Sequence, residues 1–538
     1  MKPARPAGWM SAALGAAFAL LALSARALDI SPGERLYLEG RSSDGSAIAA
    51  RVQGDVPVPA AAAACVQCHR RSGLGVAEGG QRSAAIDAAH LFAPLPGPNG
   101  RPAYDDALLL RALTAGVGAS GRMLDPLMPR YALSAADAAA LATYLRKLGN
   151  GRSPGVSEDE LSVATIVADS APRAEREATL RVIQRFVDNR NLGTRHEAAR
   201  AAFARRHPFG EKGDRHWRHW NLHVWELHGT PATWAAQLAA YQRQAPVFAV
   251  VGGTAGRDWP TVHRFCEAER LPCVLPLTSS LPDLRGAYYS LYFNAGVALE
   301  ASTTVKAIAR SAEAGRETRV LVVHDDGAAG RTAWKTLQAQ WPQDGRAAPV
   351  EHVVADSRPL DAAGWQKLLA AARPDLLIAW VDSPQLQGLL AAAVQPFLPA
   401  RIYTAETFTD LQTVNAAAAL QQRLRHVYPW RIPRDSSHPF PREEAWLKGQ
   451  GLGDLDPRLA GRALFACHAF GEALGDLRGN LSQDYLMEDL EHMLDGSDMT
   501  TLLPRTSMGP GQRVLSRGAY VLNADTAPGT AANAPWLE

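Results

Sequence analysis

The stretch Cys65-Val66-Gln67-Cys68-His69 constrains this chain more than any other. Two thiols separated by two residues and followed at once by a histidine are the attachment signature of a c-type haem. Each thiol adds across one vinyl group of the porphyrin, and the adjoining His69 then lies under the iron as its proximal ligand. The motif therefore predicts one covalent haem c, attached through Cys65 and Cys68.

A Cys-x-x-Cys pair has two other common uses, a thioredoxin-type redox dithiol and half of a zinc site. A redox dithiol should lie beside a βαβ pattern, and the sequence around residues 65–68 has none. A zinc site needs two further ligands at paired spacing, and the chain has no second Cys-x-x-Cys. Haem attachment is therefore the interpretation that we favour.

The N-terminal residues have the pattern of an export signal. Lys2 and Arg5 form a basic start, residues 9–23 are an apolar run, and a small-x-small cleavage site ends at Ala27. The run is too short to span a bilayer comfortably. We therefore predict a signal peptide at residues 1–27 and a periplasmic location for the mature chain. An uncleaved membrane anchor is the alternative.

Length and composition indicate a multi-domain globular protein. A chain of 538 residues is too long for one compact core, and 47% apolar with 20% charged residues is a globular composition. The net charge of +2 gives no electrostatic reason to expect a nucleic-acid partner. No apolar run after the signal is long enough to cross a membrane, so we predict no membrane span after cleavage.

The chain has five cysteines, two of which belong to the haem motif. Cys266 and Cys273 could form a disulfide in an oxidising compartment. Cys467 remains, and we interpret it as a buried thiol in an apolar helix.

Residues 28–151 are predicted to form an all-α domain around the haem motif. Apolar residues recur at helical spacing in residues 33–40 and 104–116, and Ser134 is placed to cap a last helix. Met123 and Met128 lie in the loop between the second and last helices.

This arrangement resembles the monohaem cytochrome c family in its haem motif, in Met128-Pro129 and in a terminal helix with Tyr144-Leu145. The resemblance implies that His69 and Met128 are the two axial ligands of the haem iron, with Met123 as the alternative to Met128. A methionine ligand raises the reduction potential, and a fully ligated iron has no vacant position for substrate. The resemblance therefore implies electron transfer by a carrier that is not an enzyme. The chain departs from many small cytochromes by inserting residues 41–64 before the motif.

Residues 157–538 alternate between apolar strands and amphipathic helices, which predicts parallel sheets with helical crossovers. The predicted strands are residues 161–168, 222–227, 247–252, 271–277, 320–324 and 376–381. The length of this region suits two α/β lobes, so the predicted fold class is multi-domain, an all-α domain followed by a two-lobed α/β domain.

The order of elements resembles periplasmic solute-binding proteins of the branched-chain amino-acid type, the substrate-binding components of ABC transporters. The resemblance rests on residues 250–254, 271–280, 320–326 and 401–406. It implies a type I binding-protein fold whose two lobes close on a ligand in the cleft between them.

By position, the ligand contacts of that family fall on Thr254, Thr278, Ser279 and Glu406. The resemblance implies that the three hydroxyls hold a ligand carboxylate and that Glu406 pairs with a ligand ammonium. Free N–H groups and hydroxyls at the carboxyl ends of parallel strands are suited to this role. As alternatives, Thr254 and Ser279 cap helices, and Glu406 is a solvated loop charge. The glycines that flank the acidic residue in the family are absent here.

These features predict a periplasmic electron carrier fused to a ligand-binding domain, working as an accessory to a periplasmic dehydrogenase or a respiratory chain. Its expected partners are a periplasmic redox protein and a small ligand, either amino-acid-like or a small organic acid or alcohol. One alternative is a transport or sensory binding protein with an attached cytochrome. Another is a haem enzyme such as a peroxidase, which would need an open iron position.

Overall fold

The structure is a computed structural model. It describes residues 30–78, 81–97, 100–206, 217–311, 317–355, 359–392, 397–415, 420, 422–432, 440–477, 479–496, 502–509, 511–523 and 534–538. The predicted signal peptide lies outside these residues. The chain forms two compact units, Met1–Gly151 and Arg152–Glu538. No helix in the described residues is both long and apolar enough to cross a membrane.

The first unit is built from short helices around one apolar core. Its helices are α1 Pro32–Glu39, α2 Ala60–Ala63, α3 Val66–His69, α4 Ala88–Leu91, α5 Asp106–Ala115 and α6 Ala135–Leu145. Ser31 and Ser134 cap α1 and α6 through their hydroxyls, and α5 ends at Gly116 in the left-handed conformation. Helix α1 packs against α6 with Gly33 at the crossing, where an added Cβ would overlap the carbonyl of Ala140.

The first unit also contains a small antiparallel sheet that the sequence analysis did not predict. Its strands are β1 Ala50–Val52, β2 Val56–Val58 and β5 Arg130–Tyr131, in the order β2-β1-β5. A separate short hairpin pairs β3 Ala77–Glu78 with β4 Gln81–Arg82. The segment inserted at residues 41–64 therefore supplies two strands, and the third strand comes two residues after Met128.

The second unit contains two sheets, each with helices on both faces, as parallel sheets require. The strands of the first are β6 Glu160–Ala168, β7 His219–Leu227, β8 Ala249–Val251, β9 Cys273–Val274, β10 Ser290–Asn294 and β16 Val514–Ser516. They lie in the order β16-β10-β9-β8-β6-β7, and all neighbours are parallel. We call this sheet and its helices lobe one.

The second sheet has the order β12-β11-β13-β14-β15-β17-β18. Its strands are β11 Val320–Asp325, β12 Val350–Val354, β13 Leu376–Trp380, β14 Arg401–Ala405, β15 Leu424–Tyr428, β17 Ala519–Asn523 and β18 Trp536–Leu537. The last two strands join antiparallel. We call this sheet and its helices lobe two.

Helices connect the strands throughout the second unit. They are α7 Arg173–Gly193, α8 Arg195–Arg206, α9 Pro231–Gln244, α10 Trp259–Glu269, α11 Gly296–Arg310, α12 Ala328–Gln340, α13 Ala362–Ala372, α14 Ser383–Ala392, α15 Leu411–Asn415, α16 Pro441–Gly449, α17 Pro457–Asp476 and α18 Gln483–Leu494. The chain crosses from lobe one to lobe two after β10. It returns after β15, so that α17 packs on α7, and crosses again between β16 and β17. These crossings join the two lobes.

The prediction of a strand over residues 271–277 is too long, since β9 contains only Cys273 and Val274. Pro272 and Pro276 flank it, and proline has no N–H to give to a sheet. Cys273 lies in this short strand, and its thiol is hydrogen-bonded to that of Cys266 at the end of α10. Both thiols are free and buried.

Candidate functional site

The haem motif forms a single helical turn. Cys65 precedes helix α3, and the N–H of His69 donates to the carbonyl of Cys65 at 2.8 Å. The turn places one thiol in the core and the other outside, since Cys65 is buried and Cys68 is exposed. Burial raises the pKa of the Cys65 thiol to about 11, and the hydroxyl of Tyr131 lies beside it.

The ring of His69 is oriented by a backbone carbonyl. Its Nδ1 lies 2.8 Å from the carbonyl oxygen of Ala84. A carbonyl only accepts, so Nδ1 carries the proton and Nε2 keeps its lone pair for a metal. Burial also lowers the pKa of His69, which favours the neutral, ligating form of the ring.

The two candidate methionines lie in different environments. Met128 is partly buried and packs against the apolar core of the first unit, whereas Met123 is 70% exposed. A thioether ligand must reach a buried iron, so this difference favours Met128. The sixth-ligand role of Met128 stays a prediction.

Arg130 holds the loop that carries Met128. Its guanidinium donates to the carbonyl of Met128 and, at 3.3 Å each, to those of Leu124 and Asp125. The same guanidinium lies against Gly116, where a Cβ would overlap its atoms. Three carbonyls bound to one rigid guanidinium fix the course of the loop.

The inserted segment holds the same loop from the other side. Strand β1 pairs with β5 through Ala50 with Tyr131 and Arg51 with Arg130. The N–H of Gln53 donates to the carbonyl of Pro126 at 2.9 Å. The inserted residues 41–64, by which this chain departs from many small cytochromes, thus brace the loop that carries Met128.

The donor set of the first unit fits a covalent haem. It offers two thiols one helical turn apart, an imidazole with a free Nε2, and a thioether at the edge of the core. Such a group supplies reversible one-electron chemistry at its iron. The residues that would hold it are Cys65, Cys68, His69 and Met128.

In the second unit, the predicted hydroxyl residues follow the carboxyl ends of two neighbouring strands, Thr254 after β8 and Thr278 and Ser279 after β9. The Thr254 hydroxyl donates to the Glu175 carboxylate at 2.6 Å, and the Thr278 hydroxyl donates to the Gly256 carbonyl at 3.1 Å. The carbonyl of Ser279 accepts from Val297 at 3.0 Å. Neither Thr254 nor Ser279 is the N-cap of the helix that follows it. Their ligand contacts stay predictions.

Glu406 is not a solvated loop charge, because its side chain is 5% exposed. Its Oε2 accepts from His426 Nε2 at 3.0 Å and from the N–H of Leu411 at 3.0 Å. Its Oε1 is paired with the guanidinium of Arg458. Burial lowers the pKa of His426 to about 3, so this ring is neutral and only donates a hydrogen bond to the carboxylate. A ligand ammonium would therefore compete with Arg458 for Glu406.

Sequence reasoning missed the positions that link these residues. Arg458 and Arg462 lie one turn apart near the start of α17, and Glu175 lies in the first turn of α7. Two arginines at i and i+4 in a largely buried, mostly apolar helix are a signal that the sequence does contain. What they contact depends on distant residues and is not readable from spacing.

Comparison with known proteins agrees with this geometry. Residues 59–149 match the family model for cytochrome c. The first unit contains a cytochrome c domain. No curated protein sequence matches the chain.

Solved structures resemble the chain at the level of fold. A fatty acid ABC transporter substrate-binding protein from Thermomonospora curvata superimposes with a TM-score of 0.51 at 15% identity, covering 72% of this chain and 94% of that one. A substrate-binding periplasmic protein from Ralstonia solanacearum gives 0.49 at 15% identity, covering 68% and 98%. An extracellular ligand-binding receptor from Verminephrobacter eiseniae gives 0.48 at 14%, covering 68% and 98%. The first match shows a two-lobed α/β periplasmic-binding-protein-like fold, which confirms the predicted fold class.

The brace around Met128 in the cytochrome c domain is testable. Replacing Arg130 by methionine removes the donors to three loop carbonyls, so we expect faster hydrogen exchange at residues 124–131. We also expect the ferric protein to lose its methionine–iron charge-transfer band at a lower temperature than wild type. The matched control is Arg51→Met, an exposed arginine opposite Arg130 in the same sheet. Unchanged exchange in Arg130→Met would show that the strands alone hold the loop.

A buried carboxyl beneath the Glu406 turn gives a pH-dependent prediction. Glu300 is 2% exposed, and the N–H of Thr407 donates to its Oε1 at 3.2 Å. Burial raises the pKa of Glu300 from 4.5 to about 8. The folded state therefore favours protonated Glu300. The contribution of this residue to the free energy of unfolding is complete below pH 4.5 and is lost as the pH rises through about 8.

Glu300→Gln keeps the acceptor without the ionisation. We expect this variant to match wild type near pH 5 and to be more stable by about 1 kcal/mol or more near pH 9, since each pKa unit corresponds to about 1.4 kcal/mol. Unfolding followed by tryptophan fluorescence measures the second unit, since all tryptophans except Trp9 lie there. The exposed Glu269→Gln is the control. A constant difference across this pH range would contradict the burial argument.

Proposed function

We propose that this protein is a periplasmic one-electron carrier whose second unit binds a small ligand. One haem c is held by Cys65 and Cys68, with His69 and Met128 as axial ligands. The observation that carries the proposal is the bond from His69 Nδ1 to the Ala84 carbonyl, because it frees Nε2 within one turn of both thiols.

The second unit supports ligand binding through its fold and through the polar groups at the cleft edge. Its neighbours in structure bear names of substrate-binding proteins, one of them for fatty acids. At such low identity the likeness concerns the fold, so the ligand has to come from the residues of this chain. We propose that Thr254, Thr278, Ser279 and Glu406 lie at or beside the ligand site.

The cellular role that we propose is an accessory to a periplasmic dehydrogenase or a respiratory chain. A redox protein would exchange electrons with the haem, while the second unit binds the substrate or product of that system. The pattern of residues 1–27 supports export, and covalent haem attachment suits the same compartment. The second candidate is a transport or sensory binding protein whose cytochrome domain docks onto a respiratory partner.

The axial ligand is tested by a matched pair of methionine variants. Methionine ligation raises the potential of a haem, so Met128→Ala should lower the midpoint potential and give a high-spin component in the ferric spectrum. Met123→Ala should leave both unchanged because that side chain is 70% exposed. The reverse result would make Met123 the ligand. Haem that acid–acetone extracts from the wild-type chain would refute the covalent attachment.

Ligand titrations of the ferric and ferrous protein separate the two cellular roles. An accessory that couples substrate to electron flow should bind its ligand with an affinity that changes with the haem oxidation state, since linkage makes such coupling reciprocal. Isothermal titration of both states measures this difference. Equal affinities would favour the transport or sensory candidate.

A further inference from the structure

Within the described part of the second unit, the guanidinium of Arg462 has aromatic neighbours but no hydrogen-bond acceptor and no ion-pair partner. Arg462, on α17, stacks over the rings of Trp430 at 4.7 Å and Phe293 at 5.4 Å. Phe293 belongs to β10 of lobe one, and Trp430 follows β15 of lobe two. Arg462 therefore lies where the chain passes between the lobes.

The donors of Arg462 are unused within the described residues. No described carboxylate is within ion-pairing distance of it, and its Nε is buried without a hydrogen-bond acceptor. A guanidinium has five N–H donors in a planar fork that matches a carboxylate. The side chain of Arg462 is partly buried and its Nε is fully buried, and natural proteins leave few buried donors without an acceptor.

The charges around Arg462 are already engaged elsewhere. Glu175, Asp456 and Arg458 are the charged groups that act on it. Glu175 accepts from the Thr254 hydroxyl at 2.6 Å, and Asp456 caps α17 by accepting from the N–H groups of Arg458 and Leu459. Arg458 is paired with Glu406. Glu175 and Asp456 attract the guanidinium from a distance, but neither forms an ion pair or a hydrogen bond with it within the described residues.

The same contacts connect Arg462 to the predicted ligand residues. Glu175 joins it to Thr254 in lobe one, and Arg458 joins it to Glu406 in lobe two. Arg458 also occupies the carboxylate that would otherwise receive a ligand ammonium. Near the predicted ligand residues, Arg462 is thus a cation with no ion-pair partner among the described residues, whereas the acid Glu406 is already paired with Arg458.

We propose that the second unit binds a small organic acid without an α-amino group, and that Arg462 holds its carboxylate in a bidentate pair. This inference rests on the proposed ligand-binding function and specifies the ligand class. Arg458 excludes amino acids by keeping Glu406 paired. The rings of Trp430 and Phe293 hold the guanidinium in place, and we assign its N–H donors, which have no acceptor among the described residues, to the ligand.

Compounds with the same carbon skeleton test the proposal. One set is 3-phenylpropanoate, 3-phenylpropanamide and phenylalanine, and the other is 4-methylpentanoate, 4-methylpentanamide and leucine. Isothermal titration of the full-length protein should give at least tenfold tighter binding of one acid than of its amide and its amino acid. An amide that binds as tightly as the acid, or an amino acid that binds more tightly, overturns the inference but leaves ligand binding intact. Absence of binding by every compound overturns the inference and the proposed ligand-binding function together.

Variants assign the effect to individual residues. Arg462→Met should weaken binding of the acid at least tenfold, and Arg462→Lys should restore part of it. Arg319→Met is the control, because Arg319 pairs with Asp375 on the exposed surface of lobe two. Arg458→Met should release Glu406 and shift the preference toward the amino acid. Unaltered acid binding in Arg462→Met, with a native thermal transition, would overturn the assignment.

Discussion

The hydrogen bond between His69 Nδ1 and the Ala84 carbonyl decides what the first unit can do. It fixes the tautomer and the direction of the ring, and so it leaves one nitrogen free beside two thiols. Other contacts hold the loop that carries Met128, the axial ligand that we propose for the opposite side of the haem. Arg130 binds the methionine loop from within, and the strands of residues 50–58 brace it from outside. With Met128 as the axial ligand that we propose, a loop held at several points would let the iron change its charge with little structural rearrangement.

Local chemistry made the first unit largely predictable. The haem motif and the helix ends at Ser134 and Gly116 follow from neighbouring residues. The small sheet was missed because its strands are two or three residues long and pair Ala50 with Tyr131 across the sequence. Periodicity needs more residues than these strands contain, and pairing between distant segments leaves no local pattern.

The second unit was predictable as an architecture but not as a site. Buried strands such as β6 and β11 are mostly apolar, as is typical of strands that are covered on both faces of a parallel sheet. Hydrophobicity alone predicted a strand over residues 271–277, but the prolines beside β9 limit it to Cys273 and Val274. The sequence singles out Glu406 as a candidate acid, yet its partners His426 and Arg458 lie 20 and 52 residues further along. Only the folded chain could reveal that its charge is already satisfied.

The pairing of Glu406 with Arg458 changes which ligands the second unit can select. Specificity is a difference between affinities, and it is obtained both by attracting one ligand and by penalising another. An ammonium that displaced Arg458 would exchange one ion pair at Glu406 for another and take from Arg458 its ion-pair partner, so it gains little there. A carboxylate at Arg462 displaces no ion-pair partner among the described residues and neutralises a partly buried cation. Arg458, which keeps Glu406 paired, and Arg462, which attracts the carboxylate, therefore lie one turn apart on α17. This arrangement favours acids over amino acids.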